Sequence, residues 1–86
     1  MNFQSLVYFK TVAELQHYTK AASTLFITQP ALSKAIHNLE VELGVTLFQK
    51  EGRNVTLTPS GAVFYEYVKR AVDEINNGMK AVQHRA

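Results

Sequence analysis

The sequence of 86 residues contains no cysteine, which excludes disulfides, thiolate zinc sites and a cysteine nucleophile. No apolar run approaches the ~18 residues that a membrane span requires. The N-terminus also lacks the basic start and the unbroken apolar run of a signal peptide. We therefore expect a soluble protein of the reducing cytoplasm.

Patterns of catalytic and metal-binding residues are missing as well. His17, His37 and His84 do not have metal-ligand spacing. Glu40 and Glu42 are two residues apart on a predicted helix, so their carboxylates point in different directions and cannot act as a pair. The four glycines are scattered singly and form no phosphate-binding loop. We expect no enzymatic activity, no metal and no cofactor.

Composition and charge favour one small packed domain with a basic face. Hydrophobic residues make up 47% and charged residues 19%, which is typical of a folded chain of this size. The formal net charge is only +2, but the segment from Leu15 to Leu39 contains no Asp or Glu, whereas it contains Lys20 and Lys34. Such a segment leaves a surface that phosphates can approach. Chance in a small domain is the alternative explanation.

Apolar spacing predicts two helices in the first 26 residues. The first covers residues 3–14, with Asn2 as its N-cap. Helical spacing relates Phe3, Leu6, Val7, Lys10 and Ala13, and the apolar stripe is widened by Phe9 and Val12. After a break at residues 16–18, the second helix runs from Thr19 to Phe26. Its adjacent residues Ala21 and Ala22 would let another helix cross closely.

The third predicted helix, residues 29–43, has an apolar side and a polar side. Thr28 caps it, Pro30 is tolerated in its first turn, and Gly44 ends it. The apolar side carries Leu32, Ile36, Leu39 and Leu43, and the opposite side carries Gln29, Ser33, Lys34 and His37. A short helix, a tight turn and a second helix with a polar N-terminal end are typical of major-groove binding, although other three-helix domains contain such a pair.

A β-hairpin and a long helix complete the chain. Strands are predicted at 47–50 and 54–58, and Gly52 lies in the turn that carries Arg53 near its tip. Thr58 caps the last helix and Pro59 starts it; the helix has about 25 residues and is therefore roughly 37 Å long. Its apolar seam consists of Phe64, Val68, Ala71, Ile75, Met79 and Val82.

The seam is longer than a small domain can cover, so it predicts a homodimer. Burial against sequence outside this chain is the alternative. The fold class is therefore mainly α: a winged helix-turn-helix of three helices and a two-stranded wing, followed by a long dimerisation helix. The expected division is a DNA-binding domain at 1–58 and a linker helix at 59–86.

Three runs of the sequence, 28–36, 39–48 and 53–61, resemble the signature of LysR-type transcriptional regulators of bacteria. The resemblance extends over almost the whole chain without gaps. It implies a winged helix-turn-helix head, a linker helix that pairs with another subunit, and dimeric binding of double-stranded DNA at an imperfect inverted repeat. It also implies a larger effector-binding domain beyond this sequence. We therefore expect this chain to be the head of a longer regulator, which a small-molecule effector reaches only through that domain.

The resemblance also implies roles for individual residues of the recognition helix. Gln29 would pair with adenine or a phosphate, and Pro30 and Ala31 would pack against a thymine methyl group. Ser33 and Lys34 match a polar and basic pair one turn further on. Lys34 would donate either to guanine O6/N7 or only to a phosphate, and base contact is the preferred interpretation.

The same resemblance places residues outside that helix at the DNA. Thr28 would be both a cap and a phosphate donor, and Arg53 of the wing would reach a phosphate or the adjacent minor groove. Lys50 stands where the family usually has arginine, so a bidentate contact there is in doubt.

Two histidines also depart from the family pattern. His17 stands where a serine often caps the second helix, so either Thr19 caps it instead or the helix starts raggedly. His37 replaces a longer polar or basic residue; if it meets phosphate, binding strengthens as the pH falls, because only the protonated ring carries charge.

A protein–protein module that uses the long helix for oligomerisation is the alternative function. It would require an exposed apolar patch on the third helix, where the sequence has polar residues instead. RNA binding is not expected, because it would require an aromatic stacking platform and the tyrosines and phenylalanines fall on predicted core positions.

Overall fold

The computed structural model describes residues 1–85 and confirms a mainly helical fold with a two-stranded wing. Within this range the elements, in chain order, are α1 (Phe3–Leu15), α2 (Tyr18–Leu25), α3 (Gln29–Leu43), β1 (Phe48–Glu51), β2 (Asn54–Leu57) and α4 (Pro59–Gln83). The predicted bounds of α3 are confirmed, and α4 starts at Pro59 as predicted. The predicted bounds of α1, α2, β1 and β2 differ from the observed ones by one residue at one or both ends.

Three helices begin at the caps that the sequence predicts. The Asn2 side chain accepts a hydrogen bond from the Ser5 backbone N–H at 2.8 Å, and the Ser5 hydroxyl accepts one from Asn2 N–H at 3.1 Å. Thr28 and Thr58 cap α3 and α4, each by accepting from the backbone N–H three residues later. Each cap satisfies a helix N–H that would otherwise lack a partner.

The prediction that Thr19 caps α2, or that α2 starts raggedly, is wrong. His17 is the cap: its Nδ1 accepts from the backbone N–H of Lys20 at 3.2 Å, and α2 begins at Tyr18. The backbone of His17 is extended, with φ −158°, so the imidazole folds back over the first turn as a serine side chain does. An accepting Nδ1 requires the neutral ring that carries its proton on Nε2.

The core lies where α1, α2 and α3 meet. The apolar face of α1 is centred on Phe9 and Val12, which are completely buried, and Phe3 is 44% exposed. Phe9 and Val12 are therefore the centre of that face and not its margin, because α2, α3 and α4 all pack against α1. Ala21 and Ala22 of α2 are buried as predicted, and their small side chains permit the close approach of the neighbouring helices.

The inner side of α3 follows the prediction. Leu32, Ile36 and Leu39 are buried, and Leu43 is partly buried at the edge of the core. Gly44 ends the helix in the left-handed conformation, with φ +71°. Phe26 adopts the same conformation at the end of α2, with φ +58°, and its side chain is 95% exposed.

The wing is an antiparallel hairpin closed by a two-residue turn. Glu51 pairs with Asn54, so Gly52 and Arg53 form the turn, and Gly52 has φ +65°. Only the first turn position has a positive φ, which is the pattern of a type II′ turn. The ring of Phe48 in β1 packs against Phe9 at 5.4 Å between centroids, which joins the wing to the core.

The start of α4 is joined to the chain just before β1. The Thr58 backbone N–H donates to the carbonyl of Leu47 at 3.0 Å, and its hydroxyl donates to the carbonyl of Thr46 at 2.6 Å. Gly61 lies so close that a Cβ atom there would collide with the Leu47 carbonyl oxygen. Only glycine permits this approach of α4 to the wing.

The predicted seam of α4 divides into two parts. Phe64 is partly buried and packs its ring on Phe9 at 5.2 Å, so its role in a dimer stays a prediction. Val68 is 3% exposed and is covered within its own chain, which leaves it no surface for a dimer interface. Val72, which the seam omitted, is also buried. The packing of the head therefore reaches as far as residue 72, whereas the division into 1–58 and 59–86 stays a prediction. The remaining seam residues, Ala71, Ile75, Met79 and Val82, are exposed, and their role in a dimer stays a prediction.

No helix in residues 1–85 is both long enough and apolar enough to span a membrane.

Candidate nucleic-acid interface

The outward side of α3 is polar along its first three turns. Gln29, Ser33, Lys34 and His37 are all exposed, and Leu32 and Ile36 fix this orientation by packing into the core. We call these four exposed residues the reading face. Their spacing along a rigid, capped helix gives a row of hydrogen-bonding groups with one positive charge, which suits the edges and phosphates of a DNA groove.

The first turn of α3 contributes three further predicted residues. Thr28, Pro30 and Ala31 are exposed, next to Gln29. The Thr28 oxygen accepts from the Ala31 backbone N–H at 3.2 Å, as a cap, which leaves its hydroxyl hydrogen to donate elsewhere. The turn therefore combines a hydroxyl donor with two small apolar surfaces.

A groove of about 270 Å³ separates the start of α3 from the wing. We call it the wing groove; it is lined by His17, Tyr18, Thr19, Gln29, Lys50, Gly52, Arg53, Asn54 and Val55. The fold thus brings Gln29 next to two predicted residues, Lys50 and Arg53, that lie more than 20 positions further along the chain. Ser33, Lys34 and His37 are not part of the groove and continue along α3 instead.

The wing is held against the N-terminal helices by a backbone hydrogen bond and an aromatic contact. Val55 N–H donates to the Gln16 carbonyl at 3.0 Å, so β2 lies beside the connection between α1 and α2. The rings of Tyr18 and Phe48 meet edge to face at 6.1 Å between centroids. These contacts fix the position of Lys50 and Arg53 relative to the start of α3.

One carboxylate near this surface already accepts hydrogen bonds from backbone groups of the protein. Glu40 Oε2 accepts from the backbone N–H groups of Leu47 at 2.7 Å and Phe48 at 3.4 Å. Burial and the charge of Glu40 raise the pKa of Tyr18 to about 12, so the phenol stays neutral at ordinary pH. Glu51 remains exposed on the wing.

Basic side chains at the candidate interface have no acidic partner within residues 1–85. The ion pairs in this range join the Met1 amino group to Glu42 and Lys10 to Glu14. Lys20, Lys34, Lys50 and Arg53 are therefore available to anionic groups. No group of three or more His, Asp or Glu side chains in the described range is arranged to hold a metal ion.

Sequence reasoning missed one contact at this interface. The Thr19 hydroxyl donates to Oε1 of Gln29 at 2.9 Å, across the crossing of α2 and α3. Thr19 had been considered only as a helix cap. No pattern in the sequence predicts a contact between exposed residues of two different helices, because it depends on their crossing geometry.

Comparison with known proteins gives consistent results for sequence and structure. Residues 3–62 match the sequence model of the bacterial regulatory helix-turn-helix proteins of the lysR family. The HTH-type transcriptional regulator YybE of Bacillus subtilis (strain 168) is 45% identical over 83 residues, which is 96% of this chain and 28% of that protein. The chain thus spans less than a third of the length of curated relatives such as these.

Solved structures with the same fold include complexes with DNA. The BenM DBD in a crystal structure with benA site 1 DNA superimposes with a TM-score of 0.92 at 40% identity, and the match covers 100% of both chains. The CbnR DBD in a complex with DNA gives a TM-score of 0.87 at 31% identity, over 98% of this chain and 97% of that chain.

Proposed function

This chain belongs to the lysR family of bacterial regulatory helix-turn-helix proteins, and from that premise we propose that it binds double-stranded DNA sequence-specifically. It acts as the operator-reading head of a dimeric transcription regulator. Residues 29–43 enter the major groove, and the wing at 50–54 contacts the backbone or the minor groove. The observation that carries this proposal is the exposed reading face of α3 beside a basic wing.

The chemistry of the reading face supports base recognition rather than charge attraction alone. Gln29 and Ser33 offer amide and hydroxyl groups, which distinguish bases by their donors and acceptors. Lys34 donates to guanine O6/N7 in the preferred arrangement, and His37 lies one turn further along α3. Thr28, Pro30 and Ala31 surround Gln29, and Lys50 and Arg53 approach a phosphate from the other side of the wing groove.

Dimerisation through α4 would place two reading faces on one DNA duplex. Ile75, Met79 and Val82 are each at least half exposed on the helix that projects from the packed head. Burial of this seam against a second copy would remove apolar surface from water and support two similar half-sites in an inverted repeat. A small-molecule effector would act through further sequence of the kind that the longer relatives possess.

The proposed role is that of a cytoplasmic DNA-binding protein without catalytic activity. Its matched relatives are named as transcriptional regulators, which is consistent with this role. The chemistry proposed here is binding by hydrogen bonds, phosphate contacts and apolar packing, with no reaction step.

Selection of binding sites from a random pool of DNA duplexes tests the proposal. We expect an inverted repeat with two similar half-sites, and an affinity that falls by about 0.9 log units per phosphate contact for each log unit of salt. Enrichment of single half-sites would contradict the dimer. Binding without any enrichment would contradict sequence-specific recognition.

A comparison of Lys34→Ala with Lys80→Ala, in the distal part of α4, tests whether Lys34 contacts a base or contributes only its charge. Both variants remove one positive charge from an exposed helix position. A base contact of Lys34 predicts a loss of about 1–3 kcal/mol at the selected site and weaker preference at one base pair. An equal loss on all sequences would instead identify Lys34 as a phosphate contact, and Lys80→Ala should change neither quantity.

A further inference from the structure

We propose that Thr19 positions the side chain of Gln29, so that Gln29 presents its N–H groups and not its amide oxygen to DNA. This inference rests on the proposed function, since it concerns how the reading face selects a base. The observation that carries it is the hydrogen bond from the Thr19 hydroxyl to Gln29 Oε1, at 2.9 Å.

Both ends of this hydrogen bond are attached to fixed backbone. Thr19 lies in the first turn of α2, which His17 caps and which Ala21 and Ala22 anchor in the core. Its branched side chain has few rotamers, so its hydroxyl has a restricted direction. Gln29 is the first residue of α3, directly after the Thr28 cap. The crossing of the two helices therefore determines where the Gln29 amide points.

Within residues 1–85, the oxygen of the Gln29 amide is hydrogen-bonded and its nitrogen is not. A glutamine amide has two acceptor positions on its oxygen and two donor hydrogens on its nitrogen. The Thr19 hydroxyl takes one acceptor position, whereas Gln29 Nε2 makes no hydrogen bond within residues 1–85. Because the amide is planar, a fixed direction of Oε1 also fixes the direction of Nε2. Gln29 thus offers the wing groove two free donors on an oriented group.

This arrangement changes the base that Gln29 is expected to select. The common pairing of glutamine with adenine uses the amide oxygen and nitrogen together, with the oxygen accepting from adenine N6. Guanine instead presents two acceptors in the major groove, N7 and O6. An amide whose oxygen is held by Thr19 therefore favours guanine at the base pair that it faces.

Site selection with paired variants tests this inference. Gln29→Ala identifies the base pair that Gln29 contacts, because preference is lost there. The unaltered protein should favour guanine at that position, and Thr19→Ser, which keeps the hydroxyl, should do the same. Thr19→Val has a similar shape without a hydroxyl, and Thr19→Ala tests the same loss with a smaller side chain. Both should reduce the preference for guanine over adenine by a factor of about 3–10, the effect of one net hydrogen bond.

Two controls distinguish a positioning role from a general one. Thr24→Val makes the same chemical change at another exposed position of α2 and should alter nothing. The affinity of Thr19→Val for non-specific DNA should match that of the unaltered protein. Unchanged base preference in Thr19→Val, or an equal loss on all sequences, would overturn the inference and leave sequence-specific binding intact. Failure of the unaltered protein to select any site would overturn both.

Discussion

The packed head (residues 1–72) and the distal α4 (residues 73–83) differ in how far their apolar side chains are buried. In the head, Phe9, Val12 and Leu32 are completely buried, and aromatic rings of α1, the wing and α4 meet around Phe9. In the distal α4, Ile75 is 50% exposed and Val82 is 67% exposed. The N-terminal part of α4 thus packs into the core of its own chain, whereas apolar side chains of its distal part remain exposed.

This difference separates two requirements of a DNA-reading domain. The reading face needs a rigid support, which the head supplies from a single chain. Correct spacing of two reading faces needs a second chain, for which the exposed seam of the distal α4 provides a surface. We therefore expect the head to fold within a single chain, and the association of the distal α4 to depend on protein concentration.

The largest expected contrast is between two glycines of α4. At Gly61, in the head, a Cβ atom would collide with the Leu47 carbonyl oxygen; at Gly78, in the distal α4, it would meet no atom within 4 Å. Gly61→Ala should lower the free energy of unfolding by about 1–3 kcal/mol, because the backbone must shift. Gly78→Ala should raise it by up to about 1 kcal/mol, since alanine favours helix.

Chemical denaturation followed by circular dichroism measures both changes. The two variants add the same methyl group to the same helix, so each is the matched control of the other. Equal effects of the same sign would show that the head and the distal α4 do not differ in packing around their glycines.

The second contrast concerns association. Ile75→Glu places a carboxylate in the exposed seam, and an unpaired charge in a dimer interface is strongly unfavourable. We expect dissociation to become at least about tenfold easier, which corresponds to about 1.4 kcal/mol. Light scattering over a dilution series measures it. Asn77→Glu adds the same charge on the other side of the helix and should leave the mass unchanged. An unchanged mass of Ile75→Glu would show that the seam does not form the dimer.

The smallest contrast is a pH effect confined to the head. Burial tends to raise the pKa of Glu14, but the hydrogen bond from Tyr65 at 2.7 Å and the ammonium group of Lys10 lower it below 4.5. A lowered pKa in the folded state stabilises the head above pH 4.5, and this contribution is lost as the pH falls through the lowered pKa. The effect is modest because the Glu14 side chain is 40% exposed.

Carboxyl titration by NMR with Tyr65→Phe tests this effect. Without the phenol, the pKa of Glu14 should move upward, and unfolding in acid should begin at a higher pH. The same hydrogen bond, followed by burial, raises the pKa of Tyr65 to about 12, so its contribution is lost only as the pH rises toward that value. Lys80→Ala, remote from this contact, should titrate like the unaltered protein. An unchanged Glu14 pKa in Tyr65→Phe would contradict the proposed coupling.

Local rules predicted most of the fold. The caps at Asn2, Thr28 and Thr58 and the end at Gly44 follow from side chains within four residues of the helix ends, so the sequence alone contains the necessary information. The imidazole of His17 acts as a cap through a ring nitrogen, which propensities for small polar side chains do not anticipate. Errors at the boundaries of α1 and α2 were therefore limited to one residue.

Tertiary partners were predicted less well. A helical repeat of apolar residues shows that one side of α4 is buried, but not what buries it. Phe64 and Val68 were therefore assigned to the dimer, although both pack against the core of their own chain. The contact between Thr19 and Gln29 was missed for the same reason, because it depends on how α2 and α3 cross. The reading-face positions were predicted because their exposure follows from the burial of Leu32 and Ile36.

The junction at Thr58 and Gly61 fixes the direction in which α4 leaves the head. Thr58 bonds to the carbonyl groups of Thr46 and Leu47, and Gly61 lies against Leu47, so the start of α4 is firmly joined to the chain just before β1. A tilt of about 10° over a helix of roughly 37 Å displaces its far end by about 6 Å. That displacement is close to two base-pair steps of about 3.4 Å. In the proposed dimer, the angle at which two such helices cross would therefore set the distance between the bases that the two heads can reach at once.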